Sequence, residues 1–329
     1  MNACTRSLLT VCALALLAGC AAPRPIAVYQ EGSMSITRVD YHGWPGCYRM
    51  TNGTVDVVIV PQIARIMQYG PAGGEGLLFV NEPLTPEVRG ASEPTDYPNY
   101  GGHKLWVAPQ KTWNWPPDPA LDRGPCRVEV LPDGALRMTG APSPAAGVRF
   151  DRVLRLDPKG TRLQIEQTMT NVSAAPVTWA IWSVTQVTTD GTAVIPLEPG
   201  AQTRFVDDAQ PAPEWRRVGD AYLLSAPDKS QKLFAPGAPG WLAYRKGDRL
   251  LLKSFQVSKT APPEPETPRE VWVGTDGFME LEFVGPQVTL APGQATTVTQ
   301  EWRLFPLGAD AATDEGLVRA AYRAAEAAR

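Results

Sequence analysis

The sequence predicts an all-β protein, one large β-sandwich closed by a short C-terminal helix. Short strand patterns recur along nearly the whole chain after residue 34, each bounded by Gly, Pro, Asn or Asp. The 33 prolines and 29 glycines supply many turns and argue against long helices. One good helical pattern stands at the end, over 313–328, with Thr313 placed as N-cap and Asp314 and Glu315 in the first turn.

The amino terminus has its own logic. Arg6 precedes an apolar run over 8–18, the length of a signal-peptide core and too short to span a bilayer. The run ends in Leu17-Ala18-Gly19-Cys20, which resembles the bacterial lipoprotein box. That resemblance implies cleavage after residue 19 and lipid on Cys20, since two or more acyl chains give stable anchoring. Ala21, where many inner-membrane lipoproteins carry aspartate, points to an outer membrane with the protein facing the periplasm. Residues 20–34 read as the lipidated cysteine and a tether, and 35–329 as a single domain.

Strand patterns then follow at 54–60, 127–131, 148–156, 162–170, 177–187, 249–257, 278–284 and 296–304. Residues 161–170 alternate with period two, as a strand with one wet face should. Residues 81–99 and 259–270 are rich in Pro and Glu and read as surface loops that would rim a groove. Without Arg6 the mature chain has 30 basic against 34 acidic side chains, spread out. No basic stripe argues for nucleic acid. Cys47 and Cys126 remain after processing, and an oxidising compartment permits a bridge between them. With two histidines and no Cys/His cluster, a metal site or a catalytic triad has little to draw on, and no cofactor motif is present.

The stretch 101–119, GGHKLWVAPQKTWNWPPDP, is the most informative. His103 sits among Trp106, Trp113 and Trp115, with Lys104, Gln110, Lys111, Asn114 and Asp118 between them. Aromatic faces beside charged and amide groups suit a polar ligand with an apolar face, such as a sugar ring. Tryptophans filling a β-core, with a histidine packed beside them, is the plainer alternative.

The ordered segments resemble the galactose-mutarotase-like β-sandwich superfamily, in particular a bacterial branch of secreted and lipid-anchored members. Tyr41-His42-Gly43-Trp44 and Tyr48–Gly53 resemble its opening strand pair, and Val57–Pro61 with Ala64-Arg65-Ile66 its second hairpin. Gly101–Trp106 with Ala108-Pro109-Gln110 is the most specific piece. Trp179–Gln186 resembles a mid-sheet strand; Phe278–Phe283, Leu290–Gln294 and Glu301-Trp302 resemble the closing strands. The resemblance implies a glutamate general base and a histidine general acid that open an aldose ring, each needing a pKa near working pH. It places His103 as the acid and Glu280 or Glu282 as the base. Arg65, Lys104, Gln110 and Asp118 would hold the sugar, with Trp106, Trp113, Trp115 and Trp182 as aromatic surfaces. Two departures stand out: Trp182 or Ser183 occupies the position of the second histidine, and an asparagine is replaced around Glu75-Gly76.

Three functions remain open on this reading. The first is a carbohydrate-binding outer-membrane lipoprotein that keeps the groove without the chemistry. The second is an aldose mutarotase or sugar epimerase acting through His103 and Glu280 or Glu282. The third is an envelope scaffold that ignores sugars.

Overall fold

The computed structural model describes residues 26–89, 97–206, 210–226 and 228–329. The signal peptide over 1–19 and Cys20 lie outside them.

Two antiparallel sheets pack face to face. The larger, 12-stranded among the described residues, runs in the order Ile26–Glu31, Met34–Tyr41, Trp44–Thr51, Val55–Val60, Arg65–Pro71, His103–Ala108, Val177–Thr188, Phe278–Val284, Arg269–Val273, Gln231–Ala235, Arg204–Phe205. Val288–Leu290 adds to the far end of Val177–Thr188. The smaller runs Trp215–Val218, Ala221–Leu224, Thr192–Pro196, Trp241–Lys246, Arg249–Phe255, Ala295–Pro306, Leu163–Asn171, Val148–Leu156, Leu136–Pro142, Arg127–Val130. The expected all-β sandwich with a terminal helix is the fold observed.

The reason is visible in the strand patterns. In Leu163–Asn171 every second residue is buried, so Leu163, Ile165 and Met169 face inward while Gln164, Glu166 and Thr168 meet solvent. Leu163 and Ile165 share one continuous core with Ile36, Val57, Ile59, Ile66, Val271 and Leu281 of the larger sheet and with Trp302, while Met169 packs in a second cluster with Leu105, Val107 and Ile181. Burial of such aliphatic side chains stabilises by about 1.5–3 kcal/mol each before entropy is counted. The terminal helix, Asp314–Ala327, is capped by the Thr313 side chain, which accepts from the Gly316 N–H. Its Leu317, Ala321 and Ala324 pack on Leu223, Trp241 and Leu252, on the outer side of the smaller sheet.

Two boundaries differ from expectation. Residues 26–34, expected to lie in a tether, instead belong to the larger sheet, because Ile26–Glu31 pairs with Met34–Tyr41 as an edge strand. The loop over 259–270 ends earlier, because Arg269 and Glu270 begin a strand that pairs with Phe278–Val284. Cys47 and Cys126 are both unbridged.

Gly101 and Gly102 have local reasons to be glycine. Both take positive φ, and a Cβ would meet the Phe79 carbonyl oxygen at 2.1 Å or that of Ile66 at 2.5 Å. That close approach lets the chain enter His103–Ala108 against the neighbouring strand.

Candidate functional site

The strands at the middle of the larger sheet are buried on both faces, and their two faces do different things. His103 pairs with Thr185, and Thr185 with Leu281, so these three share the face turned to the smaller sheet. Residues one step along take the opposite face: Lys104 and Trp106 on one strand, Glu280 and Glu282 on the next but one, Glu270 and Trp272 beyond, and Lys232 on the strand after that. Trp182 and Gln186 of the intervening Val177–Thr188 share this face, and since residues i and i+2 line one face, five strands deliver their polar and aromatic groups to a single outer surface.

That surface is the floor of a cleft of about 570 Å³. Trp106, Trp115, Trp182 and Trp272 line it together with Glu280, Glu282 and Lys232. Trp106 and Trp182 meet edge to face at 5.3 Å, and Trp115 meets Trp106 at 6.0 Å. Trp115, 54 % exposed, stands at the mouth. Gln110, Asn99, Asp276, Tyr97 and Phe278 complete the lining.

Two ionic groups sit in the floor. Lys104 Nζ lies 3.3 Å from Glu280 Oε1, donates to the Tyr97 hydroxyl and rests 4.5 Å from the centre of the Trp106 ring. Gln186 Nε2 donates to the same Glu280 oxygen at 2.8 Å. Burial lowers the Lys104 ammonium to about 8, against the opposing pull of Glu280. Burial likewise pushes the Glu280 carboxyl above the usual carboxylate range, with Lys104 opposing. The second group is a triad: Lys232 Nζ lies 2.6 Å from Glu270 and 2.8 Å from Glu282, and 4.4 Å over the Trp182 ring. Burial alone would lower the Lys232 ammonium, but the two carboxylates outweigh it and hold it well above its ordinary value. Burial, with Glu282 alongside, raises Glu270 well above its ordinary value against the pull of Lys232. Trp182 Nε1 donates to Glu282 Oε2 at 2.9 Å.

The residues expected from sequence separate into two sets. Glu280, Glu282, Trp106, Gln110, Trp115 and Trp182 line the cleft, with Lys104 paired to Glu280 from behind. His103 does not reach it. Its ring is fully buried between the sheets, 3.0 Å from Thr185 Oγ1 and 3.1 Å from Gln167 Nε2, edge-on to Trp302. Burial, then Arg152 and Lys253, push its pKa well below the ordinary value. His103 and Glu280 are on opposite faces of the sheet, so the expected acid–base couple does not assemble.

Arg65 is also structural. Its guanidinium is fully buried, donates to both carboxylate oxygens of Asp122 at 3.0 Å and to the Gly101 carbonyl at 2.7 Å. Trp106 Nε1 donates to the same carboxylate at 2.8 Å, so Arg65 positions Trp106 through Asp122. Asp118 caps the short helix Pro119–Asp122 by accepting from the Ala120 N–H, and also accepts from Ser143. Trp113 and Asp118 line a separate cavity of about 370 Å³, on the other side of Trp106. Trp113 Nε1 donates to the Val107 carbonyl.

Sequence reasoning missed Lys232, Glu270, Trp272 and Asp276. The alternation in Arg269-Glu270-Val271-Trp272-Val273 carried a usable signal, since period two places Glu270 and Trp272 on one face with Glu280 and Glu282 across the hairpin. Among the described residues no group of three or more His, Cys, Asp or Glu side chains is placed to hold a metal ion.

Solved structures share this architecture at low sequence identity. A putative aldose 1-epimerase from Klebsiella pneumoniae superposes with a TM-score of 0.59 at 12% identity, over 91% of each chain. A galactose mutarotase-like protein from Lactobacillus casei does so with a TM-score of 0.53 at 12% identity, over 79% of this chain and all of that one. A TPR-domain containing protein from Parabacteroides distasonis matches with a TM-score of 0.56 at 12% identity, over 80% of this chain and 48% of that one. The fold is galactose-mutarotase-like. No curated protein sequence matches the chain. Residues 48–305 match the family described as Domain of unknown function (DUF4380), and the chain belongs to that family.

Proposed function

We propose that the outer-face cleft binds a sugar ring or glycan end, in a lipoprotein held to the outer membrane through Cys20 and facing the periplasm. The observation that carries the binding reading is the cleft itself: four indoles surround carboxylates, an ammonium and amides in a concavity sized for a small ligand. Indole faces complement the apolar faces of a sugar ring, and fixed carboxylates accept its hydroxyls. The Leu17-Ala18-Gly19-Cys20 pattern supports the anchor. Metabolic labelling with a palmitate analogue should mark the protein and fail on Cys20→Ser; equal labelling of that variant would remove the anchor from the proposal.

A ligand that binds only the folded protein raises its melting temperature with concentration. A thermal-shift series over neutral hexoses, amino sugars, uronic acids and envelope glycans should give a dose-dependent rise with at least one sugar class. Trp115→Ala removes one indole from the mouth and should weaken binding by about 1 kcal/mol, roughly fivefold in Kd, with stability nearly unchanged because that side chain is exposed. No rise with any sugar at millimolar concentration would sink the carbohydrate reading.

A further inference from the structure

The cleft floor holds more carboxyl groups than ammonium groups. Glu270, Glu280 and Glu282 face Lys104 and Lys232 across distances of 2.6–3.3 Å. Asp276 adds a fourth carboxylate at the exposed rim. Four carboxyl groups therefore stand against two ammonium groups, Glu270 and Glu280 being the two that burial makes quickest to hold a proton.

Unpaired acceptor capacity remains on both glutamates, Glu280 and Glu282, and that of Glu280 lies on the ligand side. Both contacts of Glu280 fall on Oε1, which leaves Oε2 without a partner among the described residues on a side chain that lines the cleft. Glu282 takes Lys232 and Trp182 on Oε2. Its Oε1 is buried and has no hydrogen-bond partner among the described residues. A buried acceptor left in that state costs about 1–3 kcal/mol, and its charge adds to the field that Glu280 presents to the cleft. The faces of Trp106 and Trp182 are already covered by Lys104 and Lys232, whereas Trp115 and Trp272 carry no such cation among the described contacts. An indole face attracts a further cation. A ligand carboxylate placed here would meet Glu280, Glu282 and Asp276 at close range, an arrangement that costs several kcal/mol.

From this juxtaposition of unpaired carboxylate oxygens and open indole faces, we infer that the cleft selects a sugar bearing a protonated amine over its neutral and acidic counterparts. The inference rests on the carbohydrate reading above. The ammonium donates to Glu280 Oε2, with the Asp276 carboxylate at the rim adding its charge, while the ring lies against Trp115 or Trp272. Acetylation of the amine removes the charge and with it the preference.

The test is isothermal titration of the purified full chain with glucosamine, glucose, N-acetylglucosamine and glucuronate near neutral pH, where much of the glucosamine amine is protonated and the raised Glu280 carboxyl is closer to ionised than in acid. Glucosamine should bind about tenfold more tightly than glucose or N-acetylglucosamine, the size of one charge-assisted hydrogen bond, with glucuronate weakest. In Glu280→Gln the preference should collapse towards equality. If that variant does not fold, Asp276→Asn at the exposed rim and a salt series keep the test alive, since each should shrink the preference. Equal affinity for glucosamine and glucose would overturn the charge selection and leave the carbohydrate reading standing. An absence of binding by all four sugars would overturn both.

Discussion

Replacing Asp122 by alanine should destabilise the protein by about 3–5 kcal/mol, because it strands a fully buried guanidinium without its counter-charge. Asp122 is the hub of the wall beside the cleft: its carboxylate receives Arg65 through both oxygens and the Trp106 indole through one. Loss of the carboxylate therefore reaches the floor of the cleft as well as global stability. Urea denaturation should show the midpoint falling with little change in slope. The double variant Arg65→Met/Asp122→Leu should regain most of the loss, because removing both charges is far cheaper than removing one. If Asp122→Ala costs less than about 1 kcal/mol, the pair is not the buried anchor described here.

The second large effect concerns Lys253. This side chain reaches between the sheets from Arg249–Phe255 and donates to Thr185 Oγ1 and the Leu281 carbonyl, each at 2.7 Å. Burial, only partly opposed by Glu282, brings its ammonium down to about 7. The unfolded chain keeps the ordinary lysine value, about 10.4. Between those two values the unfolded state binds the extra proton, so stability rises with pH across that window. Each pH unit is worth about 1.4 kcal/mol. Lys104, lowered to about 8, acts in the same direction from there upward. Glu270 and Glu280, raised by burial, act in the opposite direction, as do the Cys47 and Cys126 thiols, pushed up to about 12 and about 11. The clean readout is therefore the difference between wild type and Lys253→Met. From pH 7 to about pH 8.5 that difference should move in favour of wild type by about 1–2 kcal/mol. A flat difference would mean that Lys253 is charged in the folded protein.

How far the sequence was legible depends on how many faces of each strand are wet. Leu163–Asn171 alternates because one face meets solvent, and its span, its inward set and its role were readable. His103–Ala108 and Phe278–Val284 are buried at every position. A strand covered on both faces carries no alternation from which to read its inward side. That is why His103 and Lys104, adjacent in sequence, could not be told apart, and why the histidine was given the role in the cleft. Glu280 and Glu282 came from the family resemblance, and because both lie on the same parity either choice puts a carboxyl on the same face of the strand. Arg65 was misread for a different reason: its partner Asp122 is 57 residues away, and nothing local announces that pairing. The terminal helix was legible to its cap, since Thr313, Asp314 and Glu315 are local signals.

The central claim is that ligand enters on the outer face beside Glu280 and not on the inner face beside His103. Its most direct test is a titration of one binding sugar, followed by tryptophan fluorescence, on wild type, Trp272→Ala and His103→Gln. Wild-type affinity in folded His103→Gln, together with binding weakened about fivefold or more in Trp272→Ala, is the predicted result. Loss of binding in folded His103→Gln, with Trp272→Ala behaving as wild type, would contradict it.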